Sequence, residues 1–318
     1  MKEKGLKTAL ENALYHVVYA IVIAISLIPL RALYLVSDVV AWLMHSVVRY
    51  RRKVVRQNLI SSFPDKPLAE IGRIEKVYYR WLSDYFAETL KMATMSRSNI
   101  MRRLEVENID VVNECVGRGQ TVSLFLGHYC NWEWVSSLPL HIDSCAVCGQ
   151  IYHPLESSVG DRVFLRLRGR FGAHNIKMDD TLKTVAGWYR KGVPSVTGYI
   201  ADQVPGYGSI HYFTDFLHHD TPVFTGAERI SRLVHAACFY VHLSRPSRGR
   251  YVLRFEKIAD DASREAKFAV TESYFRHLES QIQSAPGYWL WSHRRWKRTR
   301  ERFNALYGAE ADSRLSRL

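Results

Sequence analysis

From residue 104 onward the chain alternates apolar runs of strand length with helical stretches, and this confines it to few folds. Runs at 121–126, 145–151, 194–200 and 236–243 are separated by segments with apolar residues at helical spacing. The pattern predicts an α/β fold: a central, mostly parallel sheet flanked by helices. A further run, 251–258, follows the turn-forming Ser247 to Gly249 and is expected to pair antiparallel with the strand before it. Upstream, 68–95 reads as one long amphipathic helix whose Tyr78, Trp81, Leu82, Tyr85 and Phe86 belong to the core.

The N-terminus is of a different kind. Residues 13–30 carry no Asp, Glu, Lys or Arg, a stretch just long enough to cross a bilayer core. A second apolar segment, 32–48, is interrupted only by Ser37, Asp38, His45 and Ser46, and the cluster Arg49, Arg51, Arg52, Lys53 and Arg56 follows it. Basic residues there suit an anionic cytoplasmic leaflet. We therefore expect N-terminal membrane-associated helices, spanning or interfacial, rather than a buried hairpin of a soluble protein. The expected organisation is an anchor over 1–50, one catalytic domain over 51–306 and a flexible tail over 307–318.

Forty-four Lys and Arg against 31 Asp and Glu give a formal charge of +13, which calls for a polyanionic partner: anionic lipid, an acidic protein or nucleic acid. The five cysteines are odd in number and scattered, so no disulfide framework is expected and a reducing, cytosolic face is favoured. Cys145-x-x-Cys148 has no second pair to complete a zinc site.

Chemistry concentrates after the run 121–126, where Gly127-His128 is followed by Asn131-Trp132-Glu133. In an open α/β sheet, ligands bind at the carboxyl ends of strands, so His128 stands where a base would. A helix starting near Asn131 puts Glu133 in its first turn, able to reach back and orient the imidazole. The substrate's own hydroxyl then serves as nucleophile. Cys130 offers a covalent alternative that such a pair does not need. Asp202 lies at the carboxyl end of a second strand, whereas Gln203 beside it carries little signal and His218-His219 reads as a polar loop.

Several blocks in order resemble the lysophospholipid acyltransferase-like superfamily and, within it, the bacterial lipid A biosynthesis late acyltransferases. They are Arg52 to Pro64 with Asn58-Leu59 and Phe63-Pro64, Gly127-His128 with Asn131-Trp132-Glu133, and Tyr152-His153-Pro154-Leu155 with Asp161-Arg162 and Arg168 to Gly172. Asp202-Gln203 with Phe213 and Phe216, and the closing Trp289 to Lys297, complete the set. His153 stands where the family usually has Arg, and Ser157-Ser158 where it has Asn-Pro.

The resemblance implies an O-acyltransferase with an acyl carrier protein thioester as donor and a phosphorylated lipid A precursor as acceptor, acting at the cytoplasmic face of the inner membrane without metal or cofactor. It implies His128 as base with Glu133 as its partner, and Arg168, or Arg170 by a small shift, with Asp202 in support; Asn131 and Tyr152 of the same blocks and, by their charge, Arg294, Arg295 and Lys297 are expected on the substrates. Two alternatives stand beside it. One is acylation of a glycerophospholipid by the same motif. The other is a basic nucleic-acid-binding protein, since the end of the chain interleaves Trp289, Trp291 and Trp296 with Arg and Lys.

Overall fold

The computed structural model describes residues 2–315, with side chains from Thr8 onward. Four helices open the chain: α1 (Lys2–Leu27), α2 (Leu30–Trp42), α3 (Arg52–Ser62) and α4 (Leu68–Lys91). Pro29 separates the first two, because it has no N–H to continue a helical ladder but a φ of −54° suited to starting one. Helix α4 buries Ile71, Ile74, Tyr78, Trp81, Leu82 and Tyr85, a stripe at three- and four-residue spacing that faces the sheet domain. Phe86, read as core, is 49% exposed.

Among the described residues nine strands follow: β1 (Leu104–Val106), β2 (Val122–Leu126), β3 (Val147–Tyr152), β4 (His174–Lys177), β5 (Ser195–Ile200), β6 (Phe213–Phe216), β7 (His219–Pro222), β8 (Ala237–Ser247) and β9 (Arg250–Ala259). Seven form one sheet in the order β1-β9-β8-β2-β5-β3-β4, parallel throughout except for the hairpin β8–β9. The expected α/β architecture is thus present, including the antiparallel partner at 251–258. Strand β2 is buried at every position, as a central strand covered on both faces must be. The short β1 and β4 and the separate hairpin β6–β7 were not legible; His219, read as loop, opens β7.

The N-terminal helices are not a detached anchor. Helix α2 packs along α4, and α1 packs on the helix Ser158–Arg168. Buried charges tie α4 to the β8–β9 hairpin: Asp84 meets Arg245 at 2.6 Å and Arg248 at 2.5 Å, and Glu88 accepts from Tyr34, Tyr251 and Asn131 at 2.7–2.8 Å. The segment expected as a tail is helical through Leu315, with Ala311 buried against Ile210, Phe213 and Phe303; 316–318 lie outside the described residues.

Candidate active site

Strands β2 and β5 are parallel neighbours with Leu126 opposite Ile200. Two residues beyond each strand end, the same register brings His128 and Asp202 side by side. Between strand and His128 the chain needs Gly127: a Cβ there would lie 2.6 Å from Cδ1 of the fully buried Leu278.

Asp202 is 2% exposed and accepts from three N–H groups: the His128 backbone at 2.8 Å, His128 Nδ1 at 2.5 Å and Trp289 Nε1 at 2.8 Å. Burial by itself raises a carboxyl pKa; the neighbouring His128 and these donors outweigh it and hold Asp202 at about 2. A carboxylate on Nδ1 fixes the proton there and leaves Nε2 as acceptor, and the Gln203 side-chain amide sits 3.3 Å from Nε2. Trp289 is delivered by a bridge between its own backbone and that of Tyr129, reinforced by the Cys130 N–H donating to the Tyr288 carbonyl at 2.9 Å. The N-terminal helices hold this closing segment: Asn58 donates to the carbonyls of Trp291 and His293 at 2.8 and 2.9 Å, and the Tyr78 hydroxyl accepts from the Ser292 N–H.

The carboxylate expected on the imidazole, that of Glu133, lies elsewhere. It receives Arg168 in two-pronged fashion, Nε to Oε2 at 2.7 Å and Nη2 to Oε1 at 2.6 Å, and the Tyr85 hydroxyl at 3.3 Å. Burial lowers the Arg168 pKa, but Glu133 more than offsets this and the net shift is upward. The physical cause of the difference is the turn after His128. Glu133 precedes a 3-10 helix, Trp134–Leu140, instead of an α-helix. Ser136 and Ser137 hydroxyls bond back to carbonyls three residues earlier, and Pro139 withholds a ladder N–H.

His128 opens on a cavity of about 760 Å³ lined by Glu133, Tyr152, Arg168, Gln203, His293, Lys297 and Arg298 among its polar residues. Its sheet wall is one face of three strands: Leu124 and Leu126 of β2, Val196 and Gly198 of β5, and Cys148 and Gln150 of β3 lie in matching register.

Of the residues expected on substrates, Tyr152 and Lys297 line this cavity and the others do not. Asn131 is fully buried, donating to Glu88 at 2.7 Å and accepting from the Trp134 N–H. Arg170 is tied to the carbonyls of Ala93 and Met95. Arg294 is exposed outside the cavity. Arg295 is 0% exposed, with one hydrogen bond to the Pro222 carbonyl, and burial lowers its pKa to about 10. Cys130 is fully buried, which pushes its thiol pKa well up and disfavours a thiolate. Gln203, Trp289 and Tyr85 were not singled out as site residues, although Gln203 and Trp289 stand in the blocks that carry the family resemblance; His293, read with the basic segment as facing substrate, lines the cavity. Among the described residues, no group of three or more His, Cys, Asp or Glu side chains is arranged to hold a metal ion.

A comparison with curated proteins gives no match. The family model for bacterial lipid A biosynthesis acyltransferases matches residues 2–298, taking in the N-terminal helices, the His128–Asp202 pair and the closing Trp-rich segment, and the chain belongs to that family.

Proposed function

We propose that the cavity transfers a fatty acyl chain from an acyl carrier protein thioester to a hydroxyl of a phosphorylated lipid A precursor, at the cytoplasmic face of the inner membrane. The observation that carries this reading is the His128 ring, with Nδ1 on the buried carboxylate of Asp202 and Nε2 beside Gln203 in the cavity lining. In the proposed reaction Nε2 takes the proton of the acceptor hydroxyl as its oxygen bonds to the thioester carbonyl carbon. Collapse of the tetrahedral intermediate breaks the carbon–sulfur bond, and the imidazolium returns the proton to the leaving thiolate. Asp202 stabilises the imidazolium between these steps. Lys297 supplies positive charge to the lining for the phosphates, and Arg168, its charge balanced and its position fixed by Glu133, offers N–H donors to the developing oxyanion.

The test is a reconstituted assay in mixed micelles with an acyl carrier protein thioester and a Kdo-bearing lipid A precursor, read by mass spectrometry. His128→Ala should lower turnover by about two to four orders of magnitude. Near-normal activity of that variant removes His128 as base. Equal, His128-dependent acylation of a lysoglycerophospholipid instead of the precursor keeps the chemistry and moves the acceptor to the other branch of the superfamily.

A further inference from the structure

Two helical segments, Thr8–Leu27 and Leu30–Val47, are long and apolar enough to cross a bilayer, with 17% and 28% of their windows buried. Their contacts with the rest of the molecule bear on whether they do.

From Asn12 to its C-terminal end, helix α1 touches the rest of the molecule. Asn12 accepts from Arg162 at 2.7 Å. At its middle, the guanidinium of Arg162 stacks 3.9 Å from the Tyr15 ring and that of Arg166 lies 4.3 Å from the Tyr19 ring. At its end, Ser26 bonds Thr94 at 2.7 Å, and the Lys91 ammonium donates to the carbonyls of Ser26 and Ile28 at 2.6 and 2.9 Å. Asn12 and Ser26 are about 21 Å apart along a helix, so the domain lies flat against most of the candidate span.

The second segment carries its own obstacle at its midpoint. Asp38 pairs with Arg248 through both oxygens at 2.9 Å and with Arg80 at 3.0 Å, and neighbouring Ser37 donates to Asp84 at 2.6 Å. Were either helix to cross the bilayer as packed here, Arg80, Arg162, Arg166 and Arg248 would enter hydrocarbon with it, at a cost that membrane proteins avoid.

The opposite faces are bare and apolar. Leu10, Leu14, Val17 and Ile21 form one exposed stripe on α1, and Leu35, Val36, Val39 and Trp42 another on α2, each more than half exposed. Directly after them come the exposed cations Arg49, Arg51, Lys53 and Arg56. An apolar stripe flanked by positive charge complements the headgroup boundary of an anionic leaflet.

We propose that α1 and α2 form a hairpin embedded in one leaflet only, so that neither helix crosses the membrane and the Ile28–Pro29 joint stays on the side of the catalytic domain. The occupant of the bare face is lipid, not a second copy of the chain. This rests on the membrane location proposed above but on none of the chemistry at His128.

Topology can be read with a membrane-impermeant maleimide in a Cys145→Ser, Cys148→Ser background, with Lys4→Cys or Ile28→Cys added singly. The full chain is labelled in spheroplasts, in inverted vesicles and in detergent. The expected result is a membrane-pelleted protein in which neither cysteine reacts in spheroplasts, Lys4→Cys reacts in inverted vesicles and both react in detergent. Reaction of Ile28→Cys in spheroplasts means that both helices cross; reaction of Lys4→Cys there means that α1 alone crosses. Either overturns the proposal while leaving the membrane location intact. Recovery of the untreated protein from the soluble fraction as a dimer overturns both the lipid occupant and the location. As a second measurement, Val17→Glu with Val39→Glu places charge on the bare stripes. It should lower binding to phosphatidylglycerol–phosphatidylethanolamine vesicles at least tenfold and leave His128-dependent turnover in detergent unchanged; unchanged vesicle binding counts against the embedded face.

Discussion

Arg168 and Glu133 are locked in a two-pronged ion pair within the wall of the cavity that His128 faces, leaving the imidazole to Asp202. Two carboxylates thus serve two different partners, and their roles separate. Asp202 fixes the tautomer of His128. Glu133 neutralises a guanidinium that is otherwise costly to bury and fixes where it stands.

Removing either member of the Arg168–Glu133 pair leaves the other unpaired in a largely buried setting, with side-chain exposures of 23% and 3%. Glu133→Gln and Arg168→Met should each lower turnover by about two orders of magnitude, and the double variant should lose much less than the product of the two. Steady-state rates for the four proteins of that cycle decide it. Strictly multiplicative losses would mean that the two side chains act separately.

Asp202→Asn keeps the shape of the site but can turn an amide N–H toward Nδ1, which drives the ring proton to Nε2 and removes the acceptor the reaction needs. Turnover should fall about 10²–10⁴-fold with little change in KM for either substrate. Trp289→Phe removes one of three donors to the same carboxylate and should be milder, about tenfold or less. A larger loss from Trp289→Phe than from Asp202→Asn would show that the indole matters for more than holding Asp202.

His293 gives the site a pH dependence whose direction is fixed. Burial, aided by nearby Arg295 and Lys297, lowers its pKa to about 4, and its Nε2 accepts the Val204 N–H at 3.3 Å, which requires a neutral ring. The unfolded chain, with a histidine pKa of about 6.5, binds the proton first as pH falls. This contribution is therefore complete above about pH 6.5 and is lost as pH drops toward 4, on the order of 2 kcal/mol in total. Denaturant melts at pH 7 and pH 5 should separate more for the wild type than for His293→Gln. Equal separations would place the acid sensitivity in other groups.

The alternation of strands with helices and the position of His128 at a strand end were legible because both follow from local pattern: alternating apolar runs, and a Gly-His directly after one of them. The partner of His128 was not. Glu133 is five residues away and Asp202 seventy-four, and spacing favours the near carboxylate. What decides between them is the parallel register of β2 and β5 and the 3-10 turn after Glu133, which depend on tertiary pairing. The basic end of the chain misled in the same way. Composition groups Arg294, Arg295 and Lys297 together, whereas the fold exposes the first, buries the second and turns the third into the cavity.

Those three cations should accordingly give three different phenotypes under charge reversal. Arg294→Glu changes an exposed residue outside the cavity, so folding and kinetics should stay close to wild type. Arg295→Glu buries an anion where the cation faced the ionised Asp202, and its attraction becomes repulsion. The expected loss is several kcal/mol, on the scale of a broken buried pair, seen as a collapsed melting transition or insoluble expression. Lys297→Glu alters the cavity lining without burying new charge, so the protein should fold normally. It removes attraction common to ground and transition states, so the KM for the phosphorylated acceptor should rise about tenfold or more while turnover at saturation changes little. Thermal melts followed by kinetics with donor and acceptor varied separately distinguish the three. If Lys297→Glu lowers saturated turnover instead of raising KM, Lys297 acts on the reacting groups and not on the phosphates.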